Sequence, residues 1–138
     1  MAIDLASVRS RVNATGVFRK VSDVLALADA MENPGSLLPA AFVVAAAEAA
    51  EPSKTMGAHR QRITARVSVA FAVQAQPYAE NRSDEVEALR STVKSQLKGW
   101  LAEGAETAFD YVSSNIRAIS RGMVWVEVQF SAKYLETN

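Results

Sequence analysis

His59 is the single histidine of the chain, and it stands in a segment, residues 52–62, that also carries Lys54, Arg60, Gln61 and Arg62 and holds no acid. An imidazole among cations could serve as a general base or a metal ligand, and the cations could meet phosphate or an acidic protein surface. The first possibility lacks its second group. No other histidine and no cysteine is present to share a metal or to act as nucleophile. Ser113 and Ser114 have no neighbouring base and no G-x-S-x-G turn around them, so a serine nucleophile is not supported. Asp84, Glu85 and Glu87 are explained by the positive end of a helix, and Glu48 and Glu51 pair in sequence only. Gly57 and Gly104 are isolated and no lysine follows in frame, which excludes a phosphate loop. Catalytic residues, metal ligands and cofactor contacts are therefore all assigned as none. What remains is a contact loop: Lys54, His59, Arg60, Gln61 and Arg62 facing a partner, or simply water.

The totals agree with a binding or assembling protein. At 138 residues the chain fits one domain that buries about two thirds of its unfolded surface. Fifteen basic and fifteen acidic residues cancel, which argues against the broad basic surface of a sequence-specific nucleic-acid binder. No aromatics interleave the loop cations, so stacking of single strands is unsupported. The apolar run Leu37 to Ala47 is too short for a membrane span, and Met1 to Arg11 lacks a signal-peptide core. A soluble, cytoplasmic origin is expected.

The elements that must position these residues are legible in part. Asp4 can cap a helix with Leu5, Val8 and Val12 on one side, ended by Gly16. Val17 to Val21 reads as a short strand, and Ser22 or Asp23 opens a small helix through Leu25, Leu27 and Met31. Leu38 to Val44 reads as a strand entered through Pro39, with the alanines to Ala50 extended rather than helical because Pro52 follows. A loop over 51–62 leads into a strand that alternates Ile63, Ala65, Val67, Val69, Phe71 and Val73 on one face with Thr64, Arg66, Ser68, Ala70 and Ala72 on the other. Ser83 then caps the clearest helix, whose stripe is Val86, Leu89, Val93, Leu97, Trp100 and Leu101. Residues 109–119 are a bent strand, or a helical turn followed by a strand. Arg121-Gly122 turns into a last strand alternating Val124, Val126, Val128, Phe130, Ala132 and Tyr134 with Trp125, Glu127, Gln129, Ser131 and Lys133. The sum is an α+β single domain: a mostly antiparallel sheet of about four strands with helices packed on one face.

Trp125 on the nominally wet face, opposite the register of Ala70 and Ala72, could mark contact between subunits or plain core. Phe18 admits the same two readings.

In order, Val17-Phe18-Arg19-Lys20-Val21, the alanine-rich Leu25 to Met31, Pro39-Ala40-Ala41-Phe42-Val43 and Arg60-Gln61-Arg62 opening the long strand resemble the tail terminator proteins of long-tailed bacteriophages. Leu97-Lys98-Gly99-Trp100 is similar to the Leu-x-Gly-Trp ending of that family's principal helix, and Gly122-Met123-Val124-Trp125 to Phe130 resembles its final strand. The resemblance implies a non-enzymatic virion assembly protein, a protomer that closes into a homo-oligomeric ring, typically a hexamer, at the head-proximal end of the tail. Such a ring halts growth of the tail tube and offers the docking surface for the head-tail connector. Its implied partners are copies of itself, the major tail tube protein and the connector protein, with no membrane. Its implied location is the host cytoplasm during assembly and then the virion. Two other readings stay open at this point: another head-tail joining or tail-tube component, and a small-molecule-binding regulatory α+β domain that uses the space between sheet and helix.

Overall fold

The computed structural model describes residues 2–23, 27, 38–53, 60–74, 82–120 and 122–137. In chain order these form α1 (Leu5–Asn13), β1 (Lys20–Ser22), β2 (Ala40–Ala50), β3 (Arg60–Gln74), α2 (Arg82–Leu97), β4 (Asp110–Ser120) and β5 (Met123–Thr137). The strands make one sheet in the order β1-β2-β3-β5-β4, antiparallel throughout except for the parallel β1–β2 pair. The α+β class is as expected, with five strands in place of about four. The addition is β4, the segment whose sequence admitted two readings.

Period-two alternation explains the centre of the sheet. β3 and β5 pair without a shift from Arg60↔Thr137 to Gln74↔Met123, because both are rich in β-branched residues and neither contains proline. Their apolar registers point to the same side. Ile63, Val67, Val69, Phe71, Val73, Val126, Val128, Phe130 and Tyr134 are all buried there, under Val8 and Val12 of α1 and Val86, Leu89, Val93 and Leu97 of α2. The inner face is thus the expected one.

Helix ends follow local chemistry. The Asp4 side chain accepts from the Ala6 N–H at 3.0 Å and caps α1. α2 begins one residue before the expected cap, at Arg82, and Arg90 pairs with Glu87 at 2.7 Å on its exposed side. It stops at Leu97, which corrects the longer stripe. Gly99 takes φ 79°, a conformation closed to most L residues, and its N–H donates to Phe109 O at 2.8 Å. The chain is therefore steered into a separate loop. Trp100 lies 6.2 Å from the Phe109 ring with Arg11 4.8 Å above it, while Leu101 is 57% exposed.

At the other end of the chain order, the strand expected over Val17 to Val21 is β1 at Lys20–Ser22, since its partner β2 begins only at Ala40. The small helix expected through Leu25, Leu27 and Met31 lies, but for Leu27, outside the described residues. No helix among the described residues is long and apolar enough to cross a membrane.

Candidate assembly surfaces

Arg60, Gln61 and Arg62 are not loop residues. They open β3 and pair with Thr137, Glu136 and Leu135, so three positions of the expected loop belong to the sheet. Arg60 is exposed. Gln61 Nε2 donates to Glu51 O at 3.3 Å, and Arg62 Nη2 donates to Glu106 Oε1 at 2.7 Å. The Arg62 pair is half exposed on both sides and contributes little to stability. It does fix where the guanidinium sits, beside the loop that follows α2. Lys54 and His59 lie outside the described residues.

The two candidate aromatics are both buried within the chain. Phe18 is 5% exposed and its ring centroid lies 5.8 Å from that of Phe71 on the helix side of the sheet. Trp125 is 4% exposed and lies 5.8 Å from Phe42 on the other side. With Ala40, Ala72 and Met123 these two form a second, smaller cluster against which Leu27, Leu38 and Ala118 pack. Of the two readings, core is the one their burial supports directly.

Beyond that cluster the same face is polar. Arg117 Nη2 pairs with Glu127 Oε1 at 2.7 Å, Gln129 Nε2 donates to the same oxygen at 3.0 Å, and Lys133 Nζ lies 3.7 Å from Glu51 Oε1. Arg66 is exposed, and Ser68 is buried with its hydroxyl unpaired. This is a wet wall with both signs of charge. The helix side, by contrast, is filled by apolar side chains, and no set of three metal-binding groups occurs among the described residues.

Sequence reasoning missed two features. One is a groove of about 390 Å³ between α1 and β1, lined by Arg9, Arg19 and Lys20 with Ala6, Ser10, Asn13 and Val21. Arg9 stands on α1, Arg19 just ahead of β1 and Lys20 within it, so the groove gathers cations from both sides of the connection between the two elements. The other is the outer margin of β4, where Val112, Ile116 and Ile119 are 37%, 55% and 73% exposed. Their signal was present as isoleucines among polar residues, but nothing in the sequence said that β4 would be an edge.

Ile116 and Ile119 pair with Val126 and Val124 and so point to the helix side, beyond the helices' cover. Exposed aliphatics on a sheet margin are an association surface or a liability.

No curated protein matches the chain. Among solved structures, a chain of the virion of a native gene transfer agent particle has the same fold, with a TM-score of 0.62 over 97% of this chain and 96% of that one, at 12% identity. The family model described as phage tail terminator protein matches residues 1–138, the whole chain. The chain therefore belongs to the phage tail terminator protein family, whose members are non-enzymatic structural components of phage tails.

Proposed function

We propose that the protein forms a ring, a hexamer by family resemblance, that caps the head-proximal end of the tail tube, stops its polymerisation and presents the surface on which the head-tail connector docks. The observation that carries the reading is the whole-chain family match taken with two unlike exposed sheet margins on one protomer. A cyclic ring of more than two copies joins them head to tail and so requires two different complementary patches on each copy. The β4 margin with Ile116 and Ile119 supplies one, and the β2 margin, exposed from Ala45 to Ala50, supplies the other.

Capping is then a matter of surface complementarity above and below the ring. Arg60, Gln61 and Arg62 open β3 at one end of the sheet, and with Lys54 and His59 of the sequence before them they are the contacts proposed for one partner. The Arg9, Arg19 and Lys20 groove suits an acidic surface on a partner, and three cations on one small concavity favour steering of such a surface. Assembly takes place in the host cytoplasm, and the ring stays in the virion.

The test is to add purified protein to polymerising tail tubes and image the tube ends. Ring density at one end of arrested tubes is the expected result. Undiminished growth with bare ends would discard the capping function.

A further inference from the structure

This inference rests on the ring proposed above and concerns how its copies join. The sheet has two different margins. At one, β1 pairs only with Ala40, Ala41 and Phe42, so the rest of β2 has no strand on its outer side among the described residues. At the other, β4 pairs only with β5. From β2 through β3 and β5 to β4 every pairing is antiparallel, so β2 and β4 run in opposite directions. Copies set side by side around an axis thus bring β4 of one antiparallel to β2 of the next, and the alternation continues unbroken.

The usable stretches also match in length. A register shift between Ala45 and Ala47 leaves Ala47–Ala50 regular in β2. Shifts between Tyr111 and Ser113 and between Ile116 and Ala118 leave Ser113–Ile116 regular in β4. The two stretches lie at different heights in the sheet. Ala47 to Ala50 sit opposite Arg66 to Ile63, which pair with Ser131 to Tyr134, whereas Ser113 to Ile116 pair with Gln129 to Val126.

Joining them therefore offsets each copy along the strands, and the offset must be an even number of residues if side chains are to keep their faces. An offset of about four residues across four strands, at about 3.3 Å per residue and about 4.8 Å per strand, tilts the strands by about 35°. That is the tilt of closed barrels. Its sense also fits. Glu51 N donates to Arg62 O at 2.9 Å, which fixes the hand of the sheet, and with helices outside the strands lean in the right-handed direction that strand twist imposes.

Side chains select among the even offsets. An offset of about six residues would set the Glu48 carboxylate against Ile116, an unfavourable pairing. The offset of about four sets Glu48 beside Ser114, whose buried Oγ has no partner within the chain, with Ala47 beside Asn115 and Ala49 beside Ser113.

We infer that the copies join by strand pairing, Ala47–Ala49 of one against Ser113–Asn115 of the next, closing the sheets into a continuous barrel. The helices face outward. Arg66, Gln129, Ser131 and Lys133 line the channel, as polar residues line wide barrels. β1 serves as a stop that confines the incoming β4 to the free half of β2.

The chain has no cysteine, so paired cysteines report the register directly. The variant A47C/N115C, assembled on tail tubes and oxidised, is expected to give covalent multimers up to the complete ring on a denaturing gel, with neither single variant passing beyond dimer. A second pair, A49C/S113C, should behave the same if the first does not fold. Ring density at tube ends with neither pair crosslinking would overturn strand pairing while leaving the ring intact. Absence of any ring would overturn both.

Discussion

The Tyr134 hydroxyl donates to Glu48 Oε1 at 2.8 Å, joining β5 to β2 across the intervening β3. The contact anchors the half of β2 that extends past β1. Burial first, then the Glu48 carboxylate as acceptor and as charge, push the phenol up from 10.0 to about 12. An acid whose folded pKa lies above its unfolded value stabilises the fold fully below the unfolded value and loses that contribution as pH rises through the folded one. Stability should therefore fall between about pH 10 and about pH 12. Ultraviolet titration should show a late tyrosine step, and Tyr134→Phe should remove it.

Phe18→Ala should destabilise the fold by about 3 kcal/mol or more, since a buried ring packed on Phe71 is lost and the site cannot collapse around a rigid sheet. Denaturant unfolding checks it. A change within a few tenths of a kcal/mol would show that Phe18 is not core in the free protomer, and would return it to the candidate subunit contacts.

Gly104 sits at φ 88°, and a Cβ there would collide with the Ala2 carbonyl oxygen. The neighbouring Asp4 N–H donates to Glu103 O at 2.8 Å, so this crossing ties the start of the chain to the loop after α2. Gly104→Ala should cost about 2 kcal/mol or more, from the strained φ and the displaced backbone together. Thermal unfolding measures it, and an unchanged midpoint would mean that the crossing is loose.

Ser68→Ala should be neutral or stabilising by up to about 1 kcal/mol, because the hydroxyl is buried without a partner and its removal relieves desolvation. A loss larger than that would reveal a bond made by this hydroxyl in the folded protein.

Much of this architecture could be read from residue order. The alternation from Ile63 to Val73 and from Val124 to Tyr134 announced the two central strands because both set an unbroken apolar register on one face against a mainly polar one on the other. The Asp4 cap and the stripe Val86, Leu89, Val93 and Leu97 were equally plain. β4 was ambiguous because its two register shifts break the alternation, and because an edge strand half beyond the helices has no steady inside and outside. The end of α2 was misjudged for a different reason: Trp100 and Leu101 continue the helical spacing, and only the backbone conformation of Gly99 ends it. As for the surfaces, Arg60 and Arg62 could be picked out by charge, but only the family resemblance put them at the opening of β3, since the residues alone read as the end of a loop. The groove of Arg9, Arg19 and Lys20 depends on how α1 sits beside β1, which no local signal encodes.

Replacing Ile119 or Ile116 with lysine should leave the protomer folded, since both side chains are largely exposed, while weakening association of copies at least tenfold. Light scattering across a concentration series reads the second effect and circular dichroism the first. Unaltered association in both variants would move the subunit interface away from β4.

The most direct test of capping is the rate of tube elongation against the amount of terminator added. A ring that seals an end should abolish growth once about one ring is present per growing end, far below the concentration of free tube protein. Growth that declines only in proportion to tube protein bound in solution, or does not decline at all, would contradict it.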